Sequence, residues 1–198
     1  MAGRAPRWPL RGGDQPSRSP GGDSGPAFAG GGELVADFLA SDTPPAALAA
    51  AAVARTGDYR AFNLLLGDAG SLWYVSSRSG AARELAPGTY VLSKHSLDTP
   101  WPKVRRLRGR LEAALIQADP MVRLFEALAD RTRAADHELP ETGIPRTWES
   151  VLSAAFIVAA GYETRCSTLL ALAARRGRIQ ERNFTGDGGS SSDAAFDW

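Results

Sequence analysis

Cysteine is too scarce for an internal disulfide: Cys166 stands alone in the 198 residues, and a solitary thiol is usually a small hydrophobe rather than a reactive group. The two histidines, His95 and His137, are far apart, and neither lies in a metal-spaced cluster, which argues against a zinc site. No stretch approaches the roughly 18 uninterrupted apolar residues of a membrane helix, and the 43% hydrophobic content is that of a soluble globular chain. An excess of either charge is also missing. With 23 Lys plus Arg against 22 Asp plus Glu, nothing electrostatic points to nucleic acid or an anionic membrane as the main partner. Neither a Walker-type loop nor a dinucleotide fingerprint follows any predicted strand, which disfavours nucleotide binding. Paired-histidine metalloprotease and serine-elbow patterns are absent as well.

What is present falls into three segments. Residues 1–31 are rich in Gly, Pro, Ser and Arg, with Pro6, Pro9, Pro16, Pro20 and Pro26 scattered without period. Such a stretch cannot offset its ordering entropy and is expected to be disordered. Arg4, Arg7 and Arg11 without an acid faintly resemble a transit peptide, but the amphipathic spacing is lacking. A folded α/β domain is expected over 32–184. Residues 185–198, with Gly186, Gly188, Gly189 and a serine run, are expected to be a flexible tail.

Inside the domain, Leu34, Val35, Phe38 and Leu39 predict a short amphipathic helix. Asp42 or Thr43 before Pro44 predicts the cap of an Ala-rich helix reaching Arg55. The apolar runs 62–66 and 72–76 flank Gly67-Asp68-Ala69-Gly70 and read as a hairpin. Pro87-Gly88 then turns the chain into an expected third strand at 89–92. Three helices follow, opening at Trp101, at Asp119-Pro120 and, after a loop of turn-formers, at Thr147 as cap. Runs 167–173 and 178–184 predict two more strands. Hairpin-joined strands with helices in separate blocks argue for antiparallel sheet covered by helices, an α+β fold, rather than a doubly wound one.

The helix after Trp101 carries Lys103, Arg105, Arg106, Arg108 and Arg110 on the face opposite its apolar stripe. That face is expected to be solvated, with phosphate-rich partners as the competing reading. Cys166 with His95 or His137 is the only conceivable thiol dyad, but nucleophilic catalysis needs a base within hydrogen-bond reach and a lowered thiol pKa. Between strand and helix, the stretch from Leu92 to Val104 is dense in polar and rigid residues. Helix initiation accounts for Asp98, Thr99 and the prolines, and leaves Ser93, Lys94 and His95 unexplained.

Several ordered motifs resemble a known family, the NRDE proteins, also called transport and Golgi organisation protein 2. They are Phe62-Asn63-Leu64-Leu65, then Pro87-Gly88-Thr89-Tyr90 running to Leu92-Ser93, then Leu97-Asp98-Thr99-Pro100-Trp101-Pro102-Lys103-Val104. Leu139-Pro140-Glu141-Thr142-Gly143, Tyr162-Glu163-Thr164-Arg165-Cys166-Ser167-Thr168 and Glu181-Arg182 complete the set. The resemblance covers most of the chain from about Gly32.

It implies a four-layer αββα sandwich similar to the N-terminal nucleophile hydrolases, incomplete here at the N-terminus. In that wider group a cysteine after the initiator methionine attacks an amide, with its own α-amine as base. This chain begins Met1-Ala2-Gly3 and contains no Asn-Arg-Asp-Glu, so the resemblance implies a member without catalytic activity as it stands, an enzymatic role being left uncertain. A thiol amidohydrolase acting on C–N amide bonds is the alternative if the true start lies upstream. Ser93-Lys94 stands where the family usually has Ser-Asn, and Glu163 replaces a glycine, whereas Arg165 matches. The ligand-binding residues the resemblance leaves are Arg165, Lys94, His95 and Asn63. It also implies haem or acyl-CoA handling and secretory-pathway organisation, haem being the one candidate cofactor, with a small hydrophobic or amide ligand as partner. Cytoplasmic localisation is expected, with mitochondrial or Golgi association in a eukaryotic cell.

Overall fold

Proline and alanine set the first layer. In the computed structural model, which describes residues 32–173 and 175–198, helix α1 spans Gly32–Leu39 and α2 spans Pro45–Ala54. Pro44 precedes α2 and Pro45 opens it, with no side-chain cap from Asp42 or Thr43. A proline in the first turn lacks only an N–H that would have had no helical partner, and its fixed φ suits the helix. The expectation of disorder over 1–31 lies outside the described residues.

Helix α2 packs on an antiparallel sheet of β1 (Asn63–Gly67), β2 (Leu72–Ser76) and β3 (Ala81–Glu84), in the order β1-β2-β3. Alternation assigns the faces. Leu64, Leu66 and Val75 join Leu34, Ala49, Ala52 and Tyr59 in one buried cluster. Asn63, Leu65, Tyr74, Ser76 and Arg83 therefore occupy the opposite face, with Asn63 across from Ser76 and Leu65–Tyr74–Arg83 in one row. The third strand differs from the expected 89–92. Ala81-Ala82-Arg83-Glu84 has no β-branched or aromatic residue, yet it pairs with β2 through a turn that Gly80 closes at φ 60°, a conformation that favours glycine. Residues 89–92 form a loop instead, and Leu92 makes only an isolated bridge to Leu97.

The second half begins with α3 (Pro102–Leu115) and α4 (Pro120–Leu128), which pack on each other. Then α5 (Arg146–Leu152) starts after Pro145, not at a Thr147 cap. The short pair β4 (Val158–Ala159) and β5 (Tyr162–Glu163) follows, and α4 rests on a three-stranded antiparallel sheet of β6 (Cys166–Ala173), β7 (Arg176–Phe184) and β8 (Ser190–Asp197). Strand β8 corrects the expected tail: residues 190–197 pair along β7, Ile179 with Phe196 and Arg182 with Asp193 among them. Small and polar residues make poor strands alone, but a neighbouring strand's free N–H and C=O groups recruit them.

The fold is thus α+β, with helices in blocks over antiparallel sheets. Within it, α2 packs on the first sheet and α4 on the last. Among the described residues no helix is long and apolar enough to cross a membrane.

Candidate functional site

The open face of the first sheet is roofed by the loop that sequence reasoning left unexplained. Asn63, on β1, donates from Nδ2 to the His95 carbonyl at 2.6 Å. Its Oδ1 accepts the Tyr74 hydroxyl at 2.6 Å, and that same hydroxyl accepts the Leu97 N–H at 3.2 Å. Asn63 and Tyr74 therefore act as a strut from sheet to loop. Each polar atom in it has a partner, so the strut fixes the backbone of 95–97 and leaves the His95 ring to other work.

The ring's tautomer follows from its neighbours. Thr99 has one hydroxyl proton, donated to the Ser96 carbonyl at 2.8 Å, while Thr99 Oγ1 accepts the Ser96 N–H at 3.2 Å. His95 Nδ1 lies 3.2 Å from the same oxygen. With the threonine proton committed, Nδ1 is the donor in the neutral imidazole, and the Nε2 lone pair points away from this bond. An imidazole so held is oriented for an incoming acceptor-seeking group or a metal atom.

Beside it stand Trp101, whose ring is 5.7 Å from that of His95, and Lys103, whose Nζ lies 5.8 Å from the Trp101 ring centre. Lys103 donates to the Leu152 carbonyl at 2.8 Å. Burial pushes its pKa down from 10.5, the positive charge of Lys94 pushes it further, and Glu149 partly restores it. Lys94 itself is exposed and makes no ion pair among the described residues. The exposed Lys94, next to His95 in sequence and without an ion pair among the described residues, makes this loop attractive to an anion.

Asp98 explains the motif at the start of α3. It is non-glycine with φ 61°, a left-handed conformation that Asp tolerates better than most residues. Its Oδ1 accepts the Val91 N–H at 2.8 Å and an Arg108 N–H, and Arg108 also donates to the Thr89 carbonyl at 2.6 Å. The loop is so clasped to α3.

The rest of the basic face is also taken up internally. Arg105 donates to the Pro100 carbonyl and to Glu138, and Arg106 to Thr132 and Ser153 carbonyls and to Asp130. Arg110 lies 3.7 Å from Asp130. The helix's cations clamp loops to one another, while Arg105 and Arg110 stay exposed as a solvated face would have them.

Arg165 does not join the group. It is exposed, its carbonyl accepts the Phe184 N–H at 2.9 Å, and no hydrogen bond, ion pair or ring contact links it to Asn63, Lys94 or His95 among the described residues. Cys166 is exposed at the start of β6 and likewise shares no bond with either histidine. The neighbouring Thr164 is structural: it holds Ile157 through both its N–H and its hydroxyl. Thr142 does the same for the buried Glu149, donating from N at 2.8 Å and from Oγ1 at 2.5 Å.

Sequence reasoning missed Tyr74, Thr99, Trp101 and Lys103 as parts of the site. Alternation along β2 was the available signal for Tyr74, which shares a face with Asn63 once register is known. Ser76, 2% exposed, is across from Asn63 on the same face, and its hydroxyl has no partner. An orphaned buried hydroxyl costs on the order of 1–3 kcal/mol. Ser76→Ala is therefore expected to raise the unfolding free energy by about 1 kcal/mol, read as a higher urea midpoint at unchanged slope.

None of the described cavities is lined by His95. The described cavities lie elsewhere, the roomiest, about 590 Å³, between Asp68, Leu72, Glu84, Pro87 and Tyr90. Among the described residues no group of His, Cys, Asp and Glu is assembled to hold a metal ion. The site is thus an open lip, suited to a ligand that arrives and leaves.

The family model described as Transport and Golgi organisation 2 fits residues 18–185, which include every element from α1 to β7. No curated protein matches the chain.

Proposed function

Because the chain belongs to the Transport and Golgi organisation 2 family, we propose that it is a carrier that holds an anionic, apolar-bodied cargo, haem or an acyl-CoA, on the lip formed by His95, Lys94, Trp101 and Lys103. The observation that supports this reading most is the His95 ring, fixed at Nδ1 by Thr99 and open at Nε2. A single axial nitrogen on an exposed loop fits haem as transient cargo rather than as a resident group. Lys94 and Lys103 would neutralise propionates or phosphates, and the Trp101 indole would lie against the apolar part. Asn63 and Tyr74 keep the loop in place beneath. Arg165, in the link between β5 and β6, would take no direct part in this lip. Cytoplasmic residence with mitochondrial or Golgi association accompanies this reading, as an expectation checked by cell fractionation.

Among the described residues Cys166 shares no bond with His95 or His137, so the thiol dyad considered from the sequence has no support there.

The test is titration of the full chain with ferric haem and, separately, with palmitoyl-CoA. Saturable binding of one ligand per chain is expected, with a Soret shift for haem that His95→Ala abolishes. Lys94→Ala is expected to weaken both ligands several-fold. Absence of saturable binding to either would sink the carrier reading.

A further inference from the structure

At one end of the first sheet, the turn between β1 and β2 and the loop after β3 line one open cleft of about 590 Å³. That volume lies within the range of small-molecule sites, roughly 300–1,000 Å³. Each wall is fastened to itself. In the turn, Asp68 Oδ1 accepts the N–H of Gly70 at 2.9 Å and that of Ser71 at 2.8 Å. In the loop, the Tyr90 hydroxyl donates to the Ala86 carbonyl at 2.9 Å, spanning Pro87 and Gly88. The Leu85 N–H donates to the Leu72 carbonyl at 2.7 Å, which ties the start of the loop to β2. A ligand would meet walls already ordered by folding, and preorganisation lowers the entropic cost of binding.

The charge on these walls is of one sign. Asp68 and Glu84 line the cleft, and no Lys, Arg or His does. Glu84 is exposed and enters no ion pair among the described residues. Hydrogen bonds from the Gly70 and Ser71 N–H groups hold the Asp68 carboxyl below 3.8, so it is ionised at neutral pH. All of these bonds, with that of the Ser71 hydroxyl, engage Oδ1 and leave Oδ2 open. The remaining lining is largely apolar, with Leu72 40% exposed beside Leu85, Pro87 and Tyr90. A cleft lined by one sign of charge concentrates the opposite sign. Two negative charges over an exposed leucine repel propionates and phosphates and suit a cation with an apolar body.

We propose that this cleft binds an organic ammonium, a protonated amine on an apolar body, with Glu84 and Asp68 taking the charge and Leu72 and Tyr90 packing on the body. The site is separate from the His95 lip and does not depend on the carrier reading.

The test is titration of the full isotope-labelled chain with phenethylamine, followed through its amide spectra. Phenethyl alcohol, which has the body without the charge, and methylammonium, which has the charge without the body, are the comparisons. Saturable shifts at Gly70, Ser71, Leu85 and Gly88 are expected with phenethylamine, and each comparison compound should bind about tenfold more weakly. Glu84→Gln should weaken phenethylamine several-fold and leave the alcohol unchanged, with Glu84→Asp recovering part of the loss. Asp68→Asn keeps an Oδ1 acceptor for the turn, removes the charge, and should act in the same direction. Glu84 is exposed, so a thermal melt matching the wild type is expected and excludes misfolding. The proposal is overturned by absence of saturable phenethylamine binding, by equal affinity for either comparison compound, or by full affinity in the Glu84→Gln, Asp68→Asn double variant. None of these outcomes alters the haem titration at His95, so the two sites fail separately.

Discussion

Asp130→Ala is expected to destabilise the chain by about 2–3 kcal/mol, because it removes charge-assisted hydrogen bonds at a buried carboxylate whose arginine partners stay partly exposed. The carboxylate is 7% exposed and lies where α3, the end of α4 and the approach to α5 meet. It accepts Arg106 Nε at 3.4 Å, is 3.7 Å from Arg110, and receives the Thr132 N–H at 3.0 Å. Removing it leaves the half-buried Arg106 facing only neutral carbonyls, and a stranded charge costs more than the pair contributed. Asp130→Asn keeps the shape and the Thr132 bond, so it should lose less. Burial pushes the Asp130 carboxyl up, but Thr132 and the charges of Arg110 and Arg106 outweigh burial and hold it below 3.8. The folded pKa is thus depressed relative to the unfolded chain. The stability this contributes is fully present above pH 4 or so and is lost as pH falls through the folded pKa. Acid titration of unfolding, wild type against Asp130→Asn, should show that loss only in the wild type.

Phe156→Ala should cost about 3–5 kcal/mol, through the lost burial and the cavity left behind. Phe156 is 2% exposed, meets Phe184 of β7 edge-on at 4.7 Å, and carries the Arg131 guanidinium 4.9 Å from its ring centre. Arg131 in turn donates to the Gly188 carbonyl at 2.7 Å, which ties the β7–β8 turn to the α4 end. The Phe156 N–H also donates to the Asp130 carbonyl at 2.9 Å. The two sites are therefore coupled, and the double variant should lose less than the sum of the single losses, a coupling that chemical denaturation of all four cycle members measures.

Much of the helical layer was legible in the sequence because it is local. Proline at the starts of α2, α3 and α4, and apolar spacing along them, need no knowledge of the rest of the chain. Strands β1, β2 and β6 announced themselves by apolar or β-branched runs, and β7 by its place after the Arg176-Gly177 hinge. Strands β3 and β8 did not, since Ala-Ala-Arg-Glu and the serine-rich stretch owe their strand state to the partner beside them. The same distinction governs the site. Asn63 and His95 were singled out by motif, but what joins them is the Tyr74 hydroxyl and a backbone carbonyl, visible only once β1 and β2 are in register. The internal bonds of the basic face of α3 were not legible because most of its acceptors are main-chain carbonyls at Thr89, Pro100, Thr132, Leu152 and Ser153, which leave no mark in residue type. Arg165 was carried by motif alone, and the structure puts it in the short link between β5 and β6.

The central claim is that the lip around His95 is where cargo binds. It is tested most directly by recording amide spectra of the isotope-labelled chain during ferric-haem titration, since the paramagnetic iron broadens signals only near where it sits. The account predicts early loss of the signals of Lys94 to Leu97 and of Asn63, with β6 to β8 spared, and no such pattern in His95→Ala. Broadening centred on the cavity near Asp68 and Tyr90, or on Arg165 and Cys166, with the His95 loop unaffected, would contradict it.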